Sequence, residues 1–264
     1  MFRKRQDADK LKSDHASKVE FDVLDQQSLE PKDLCLETRK FEVLLLDLDN
    51  TFFDYDTGEV EAFEKTMKSF NLPMTLYEPY QKINKKLWAD LERGEVEKEV
   101  LRVIRFERLL ELTDETIEPL TIADAYTENL SMASVLFEDS LKVLKALKGK
   151  YPMVAISNGI ETVQMSRLKL AGIEDFFDTI IISERIGANK PDPRIFNAAL
   201  ESVGYDGPMD HVLMVGDNFS ADILGAKALG MKTCWMNYDC KSIPNSHLAD
   251  FEIHQIGQLL GILA

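Results

Sequence analysis

The stretch FEVLLLDLDNTFFD, residues 41–54, decides the fold and carries the first candidate site. Its apolar run from Val43 to Leu46 is short and continuous, which is typical of a strand buried on both faces of a parallel sheet. Such sheets bind ligands in the crevice beyond the carboxyl ends of their strands. Asp47 and Asp49 stand at that place, and two carboxylates so close need a cation or a shared proton. Taken alone, the pair is explained equally well by a polar turn after the strand.

The composition limits the class of protein. The chain has 264 residues, 45% hydrophobic and 29% charged, which is ordinary for a globular protein and allows one or two domains. The formal net charge of −15 argues against a protein that grips a nucleic-acid polymer, because that role needs a basic face. No apolar stretch reaches the roughly 20 residues of a membrane span, so no membrane role is expected.

The first residues and the cysteines bear on the compartment. The start, MFRKRQDADK, is basic but has no apolar run behind it, which argues against a secretory signal. Cys35, Cys234 and Cys240 have no metal-ligand spacing, so we expect reduced thiols in a cytoplasmic protein. Residues 1–40 mix charged residues with few apolar ones and are expected to form an N-terminal extension that is partly disordered.

The region after the first strand contains no convincing strand pattern until about residue 133. Thr57 and Gly58 suggest a turn, after which amphipathic helical segments are predicted near residues 62–70, 76–95, 98–114 and 122–137. Four helices inserted between one strand and the next indicate a separate helical cap. We assign residues 57–136 to it.

From Ser140 the pattern changes to alternating helices and strands. Strands are predicted at residues 152–157, 177–183, 211–216 and 231–236. Repeated strand–helix units of this length form a parallel, doubly wound sheet with right-handed crossovers. The predicted fold class is therefore α/β. Residues 41–56 and 137–264 form the core, and the α-helical cap is inserted between them.

Polar residues follow three further strands at their carboxyl ends. In chain order they are Ser157-Asn158-Gly159, Lys190, Asp217 and Asp222. Each has an ordinary explanation as a helix cap, a solvated loop lysine, a strand-to-helix turn or a complement to the helix dipole. Together they supply carboxylates for a hard cation, donors for an anion and one lysine, all at one edge of the predicted sheet.

These groups stand in the order of a known set of motifs. DLDNT at 47–51, SNG at 157–159, KP at 190–191 and GDNFSAD at 216–222 resemble the four motifs of the haloacid-dehalogenase-like (HAD) hydrolases. The resemblance covers about residues 41–240, and the helical insert is similar to the cap of that superfamily's helical-cap branch. The run 157–196 also resembles pyrimidine 5′-nucleotidases of the YjjG type.

The resemblance implies three catalytic residues. Asp47 is the nucleophile that forms an aspartyl-phosphate, and Asp49 is the general acid and then the base. Lys190 bridges the nucleophile and the phosphate and offsets their repulsion. The implied phosphate-binding residues, at a helix N-terminus, are Ser157, Asn158 and Gly159.

The resemblance also implies a cofactor, Mg²⁺, which prefers oxygen ligands; Mn²⁺ is the expected substitute. The implied metal ligands are Asp47, Asp49 through its backbone carbonyl, and Asp217. Asp222 is expected to support the metal's waters or to orient Lys190.

The implied function is a phosphatase that acts on a small phosphomonoester, a (pyrimidine) nucleoside 5′-monophosphate, as a monomer or homodimer. An acid at position 49 favours phosphoryl chemistry over carbon–halogen cleavage, in which no alcohol is protonated. A sugar-phosphate phosphatase and a phosphomutase of the same superfamily stay open as alternatives. So does a binding or regulatory protein on a catalytically retired hydrolase scaffold.

Overall fold

A computed structural model describes residues 41–264. The predicted N-terminal extension, residues 1–40, lies outside the described residues, and so does Cys35. Cys234 and Cys240 are both free thiols, the first buried and the second exposed. None of the helices within residues 41–264 is both long enough and apolar enough to cross a bilayer.

Six strands form one sheet in which every neighbouring pair is parallel. They are β1 (Val43–Leu46), β2 (Met153–Ser157), β3 (Thr179–Ile182), β4 (Val212–Gly216), β5 (Lys232–Met236) and β6 (Phe251–Ile253). Their order is β3-β2-β1-β4-β5-β6, so β1 is central and the order reverses between β1 and β4. That reversal opens a crevice at the carboxyl ends of these strands, where α/β sheets bind ligands.

The helices of the described residues fall into an inserted group and a group that covers the sheet. The inserted helices, which we call the cap, are α1 (Tyr55–Ser69), α2 (Tyr77–Glu92), α3 (Lys98–Leu110) and α4 (Pro119–Ser131). The others are α5 (Ser140–Leu147), α6 (Glu161–Leu170), α7 (Ser183–Ile186), α8 (Pro193–Ser202), α9 (Gly225–Ala228) and α10 (Leu259–Ile262).

Alternate side chains of β1 pack on opposite faces of the sheet. Leu44 and Leu46 belong to an apolar cluster with side chains of α5, α6 and α10. Val43 and Leu45 belong to a second cluster with side chains of α8 and α9. All four residues are buried, as a strand covered on both faces requires. The predicted doubly wound parallel sheet with an α-helical cap is thus confirmed.

The cap has its own aromatic core. The Phe63 ring centroid lies 4.7 Å from that of Tyr80, and the Tyr80 ring stacks on Phe106 at 5.6 Å. Tyr126 completes the group, 5.2 Å from Phe106. Each of the four rings comes from a different cap helix, so the helices need one another to bury their apolar faces.

The predicted turn at Thr57 and Gly58 is wrong. Helix α1 begins at Tyr55, because the Asp54 carboxylate caps it by accepting a hydrogen bond from the Thr57 amide at 3.1 Å. Gly58 lies inside the first turns of α1, where an added Cβ would stand 3.2 Å from the Cβ of Ala133. The glycine therefore permits close packing of α1 on the chain that returns from the cap. The exact cap boundaries, 57 and 136, stay a prediction.

The predicted helix that follows β4 is also less regular than expected. Its first part, Phe219–Leu224, is π-helical, and only α9 is α-helical. The Asn218 side chain caps this segment by accepting hydrogen bonds from the amides of Ser220 and Ala221. The wider turn leaves Asp222 buried at the carboxyl edge of the sheet.

Candidate active site

The predicted site residues come from four separate loops and line one cavity of about 380 Å³. The loops follow β1, β2, β3 and β4, and side chains of the cap helices line the same cavity. The residues that sequence reasoning selected and that line it are Asp47, Asp49, Ser157, Asn158, Gly159, Lys190, Asp217 and Asp222.

Lys190 is buried at the base of the cavity, with a side chain only 2% exposed. Its Nζ lies 2.6 Å from Asp47 Oδ1 and 2.7 Å from Asp222 Oδ1, and it donates to the carbonyl of Ile156 at 2.8 Å. Burial opposes the charge of this ammonium, but Asp222 and Asp47 outweigh it and hold the pKa of Lys190 above its ordinary value. The lysine is therefore a fixed positive charge between two carboxylates.

Both carboxylate oxygens of Asp47 are engaged. Lys190 holds Oδ1, and the hydroxyl of Thr51 donates to Oδ2 at 3.0 Å. Burial raises the pKa of Asp47 to about 7 against the opposing effect of Lys190, and Asp222 adds repulsion. Thr51 was not selected from the sequence, although it lies in the same motif, because a threonine after a strand end has no distinct signal. This carboxylate is thus held in a fixed orientation at the end of β1.

Three carboxylates form a compact acidic cluster. Asp47, Asp217 and Asp222 each place one oxygen within 4.8 Å of the others. Asp222 is committed to Lys190 and to the amide of Asn218, which donates to it at 3.0 Å. Within residues 41–264 the carboxylate of Asp217 has no hydrogen bond or ion pair. Burial, and then the charges of Asp47 and Asp222, raise the pKa of Asp217 well above its ordinary value.

This donor set fits a hard divalent cation. Oxygen ligands suit Mg²⁺, and an uncompensated, half-buried carboxylate beside a buried one is the condition that a cation relieves. Asp217 has no other partner among the described residues, and Asp47 faces it, so these two are the candidate side-chain ligands. The carboxylate of Asp49 is engaged elsewhere. A metal role for that residue therefore requires its backbone carbonyl, and this stays a prediction.

Two side chains of α6 hold the carboxylate of Asp49. Gln164 Nε2 donates to Oδ2 at 2.7 Å, and Arg167 Nη1 pairs with Oδ1 at 2.5 Å. Arg167 is only 1% exposed; its Nε donates to the carbonyl of Ala133, and its guanidinium stacks over the Phe53 ring at 4.2 Å. Sequence reasoning missed both α6 residues. Their signal was two long polar side chains three apart on the helix that leaves the SNG motif.

The loop after β2 is built from side-chain to backbone hydrogen bonds. Ser157 Oγ accepts from the amide of Gly159 at 3.0 Å and from Gln164 Nε2 at 2.7 Å. The side chain of Asn158 bonds both backbone groups of Lys190, accepting from its amide at 2.7 Å and donating to its carbonyl at 2.9 Å. Helix α6 starts at Glu161 without a side-chain cap, so the helix-cap explanation of this triplet is wrong. The Asn158 side chain is engaged, which leaves its backbone amide for an anion.

The cap contacts the core on two sides of the cavity. Glu92, the last residue of α2, accepts from Asn218 Nδ2 at 2.7 Å and from the Ser220 hydroxyl at 2.8 Å. Lys98, the first residue of α3, donates to the Ser183 hydroxyl at 2.5 Å and to the carbonyl of Gly159 at 3.2 Å. Both ends of the α2–α3 connection are therefore bound to loops that carry site residues.

Known proteins share this chain's sequence and fold. The family model described as haloacid dehalogenase-like hydrolase matches residues 44–236. Pyrimidine 5′-nucleotidase YjjG from Escherichia coli (strain K12) is 30% identical over 226 residues, which are 84% of this chain and 98% of that protein. Pyrimidine 5′-nucleotidase PynA from Streptococcus pneumoniae is 30% identical over 201 residues, which are 75% of this chain and 84% of that protein.

A solved structure extends the likeness to the fold. The crystal structure of the HAD-hydrolase YfnB from Bacillus subtilis, bound to magnesium, superposes with a TM-score of 0.78 at 29% identity. The match covers 85% of this chain and 99% of that one. The family model spans the cap and most of the sheet, and each of these relatives is matched over 84% or more of its length. This chain therefore belongs to the haloacid dehalogenase-like hydrolase family.

Proposed function

We propose that this protein is a Mg²⁺-dependent phosphatase that hydrolyses pyrimidine nucleoside 5′-monophosphates through an aspartyl-phosphate on Asp47. The observation that carries the proposal is the fixed carboxylate of Asp47, held by Lys190 at 2.6 Å and Thr51 at 3.0 Å on the wall of a cavity. The names of YjjG and PynA, both pyrimidine 5′-nucleotidases, support the substrate class.

The reaction has two displacements at phosphorus. In the first, an oxygen of Asp47 attacks phosphorus, the bond to the ester oxygen breaks, and Asp49 gives that oxygen a proton. In the second, Asp49 takes a proton from water, which attacks phosphorus and releases inorganic phosphate and the Asp47 carboxylate. Gln164 and Arg167 keep the Asp49 carboxylate in one place for both proton transfers.

Charge on the phosphoryl oxygens is the main barrier to attack by a carboxylate. Lys190 offsets it from one side, with Asp222 orienting its ammonium. The Ser157 hydroxyl and the backbone amide of Asn158 donate hydrogen bonds from the loop after β2, whereas the amide of Gly159 is engaged by Ser157 Oγ. Bound Mg²⁺ supplies further positive charge, and the residues that would hold it are Asp47, Asp217 and the carbonyl of Asp49. Mn²⁺ is expected to substitute.

A substrate panel tests the proposal. We expect kcat/KM for phosphate release with Mg²⁺ to be highest for uridine, cytidine and thymidine 5′-monophosphates and lower for purine nucleotides and sugar phosphates. Asp47→Asn removes the nucleophile and should lower kcat about 10⁴-fold or more. Undiminished release by that variant would refute the mechanism.

The same panel separates the alternatives. A preference for sugar phosphates would contradict the nucleotide substrate and leave the phosphatase chemistry standing. Movement of phosphate between two hydroxyls of one sugar, without inorganic phosphate, would identify a mutase. No release from any ester, with Mg²⁺ or Mn²⁺ present, would favour the retired scaffold.

A further inference from the structure

A second group of buried polar side chains lines the cavity from the cap. It consists of Glu59 of α1, Asn84 of α2 and Arg105 of α3. Each is at least nine-tenths buried, and Arg105 is only 1% exposed. Burial of polar groups costs free energy unless each finds a partner. None of the three has a role in the phosphoryl chemistry above.

The three side chains form one hydrogen-bonded chain. Arg105 Nη1 donates to Asn84 Oδ1 at 3.3 Å, and Asn84 Nδ2 donates to Glu59 Oε1 at 3.1 Å. The hydroxyls of Tyr55 and Tyr77 donate to the two oxygens of Glu59 at 3.2 Å and 3.3 Å. The carboxylate of Glu59 is thus fully engaged inside the cap, and the open end of the chain is the guanidinium of Arg105.

That guanidinium keeps one donor without a partner. Arg105 Nη2 is buried and makes no hydrogen bond within residues 41–264. The group lies over the rings of Tyr126 at 4.7 Å and Phe106 at 5.3 Å, which fix its plane. Because Arg105 lines the cavity, a ligand acceptor that reaches Nη2 gains a hydrogen bond with a donor that otherwise has none.

The net charge of Glu59, Asn84 and Arg105 determines which kind of ligand acceptor Arg105 Nη2 favours. Glu59 and Arg105 carry opposite charges and are joined through Asn84, so the chain of three is neutral as a whole. A second phosphate or a carboxylate would enter a buried site whose positive charge is already compensated. A neutral carbonyl oxygen needs only the hydrogen bond and has a smaller desolvation cost.

We infer that Arg105 is a specificity-determining residue that donates a hydrogen bond from Nη2 to a ring carbonyl oxygen of the substrate's base. This inference rests on the proposed function and names the part of the substrate that the cap reads. Uracil, thymine and cytosine all carry a carbonyl at ring position 2. Adenine has none, so the contact favours pyrimidine nucleotides over adenosine 5′-monophosphate.

Ribose 5-phosphate provides the matched substrate, because it has the reacting phosphate and the sugar but no base. For Arg105→Met we expect kcat/KM for uridine 5′-monophosphate to fall about 10- to 100-fold while that for ribose 5-phosphate stays within about twofold. Uridine, which has no phosphate, should inhibit ribose 5-phosphate hydrolysis by the parent enzyme competitively, and the variant should lose that inhibition.

Arg102→Met is the control variant. Arg102 lies on the same helix, pairs with Asp124 and does not line the cavity, so both substrates should retain parental values. If Arg105→Met does not fold, Arg105→Lys keeps the charge without the planar fork, and the same ratio of the two substrates decides.

Two results have different meanings. Equal losses on the two substrates, or unchanged inhibition by uridine, would overturn the role of Arg105. A parent enzyme with no preference for pyrimidine nucleotides over ribose 5-phosphate would instead contradict the proposed function.

Discussion

Among single residues, Asp49 shows how much of a site lies outside its motifs. Its carboxylate is oriented by Gln164 and Arg167, which follow the SNG motif by one and two helical turns. Arg167 also bonds the carbonyl of Ala133, where the chain returns from the cap. The position of Asp49, the proposed proton carrier, therefore depends on contacts of Arg167 with Ala133 and of Gln164 with Ser157.

The first prediction concerns the two halves of the reaction at Asp49. An aryl phosphate such as p-nitrophenyl phosphate has a leaving group that needs little protonation, whereas hydrolysis of the aspartyl-phosphate still needs a base. Asp49→Asn should therefore lower steady-state turnover about 10²- to 10⁴-fold and yet release a rapid burst of about one nitrophenolate for each active site. Stopped-flow absorbance measures the burst.

Asp47→Asn is the control for that experiment, because without the nucleophile no burst is expected. Steady-state turnover of Asp49→Asn within about twofold of the parent would remove Asp49 from the acid–base role. A slow first turnover without a burst would contradict the prediction that the second displacement limits this variant.

The residue types and their positions at strand ends were enough to predict that the site residues meet in one cavity, because parallel strands have their carboxyl ends at one edge of the sheet. Thr51, Gln164 and Arg167 could not be found in that way. Their roles depend on the rotation of α6 and on side-chain length, which periodicity does not specify. The role of the Asn158 side chain, which holds the backbone of Lys190, could not be found in that way either; the phosphate contact predicted for the backbone amide of Asn158 stays a prediction.

At the scale of elements, strands were easier to predict than helix ends. The predicted bounds of β1 agree with the structure because an all-apolar run between polar residues leaves little freedom. Helix α1 begins before the predicted turn, because a glycine such as Gly58 is typical of turns but here lies inside the helix. The glycine at position 58 is explained by the close approach of α1 to Ala133, a tertiary contact that no local sequence pattern reveals.

Lys98, the first residue of α3, joins the cap to the core and leads to a pH prediction. Burial lowers the pKa of Lys98 to about 8 from its ordinary 10.5, against the opposing charge of Glu184. Between about pH 8 and 10.5 the unfolded chain binds more protons at this residue than the folded protein does. The free energy of unfolding should therefore rise with pH in that window, relative to a chain that lacks the lysine.

Lys98→Met supplies that chain. Denaturant titrations at several pH values should show the difference in free energy of unfolding, parent minus variant, increasing from about pH 8 to 10.5, with an upper limit of about 3.5 kcal/mol at about 1.4 kcal/mol per pKa unit. Lys82→Met, which replaces an exposed lysine of α2, serves as the matched control. A difference between parent and Lys98→Met that does not vary with pH would contradict the shifted pKa.

At the scale of the whole molecule, part of the negative charge of the chain is concentrated in the cavity, at Asp47, Asp217 and Asp222. The formal net charge is −15, and three of the carboxylates meet in one cluster, in which Asp47 and Asp222 are buried and Asp217 is half-buried. Lys190 offsets part of the repulsion there, and the remainder, which falls on Asp217, destabilises the folded state as long as no further cation binds. A cation that binds only the folded protein stabilises it in proportion to the logarithm of its concentration.

We therefore expect Mg²⁺ to raise the melting temperature, by an amount equivalent to about 2.7 kcal/mol when its free concentration is 100 times Kd. Asp217→Asn should melt at a higher temperature than the parent without Mg²⁺, because a half-buried like charge is removed, and it should lose most of the Mg²⁺-induced rise in melting temperature. Sodium chloride at matched ionic strength controls for screening of the acidic surface. An equal Mg²⁺ shift in parent and variant would assign the effect to that surface.

The double hydrogen bond from Asn158 to residue 190 has a consequence for protein engineering. A side-chain amide offers a donor and an acceptor in the arrangement of a peptide group. Asn158 therefore pairs with the backbone of Lys190 as a residue of a neighbouring β-strand would. Aspartate would lose the donor, and glutamine would add a methylene between the two loops. A graft of the loop that contains Lys190 onto another sheet must therefore include Asn158 as well.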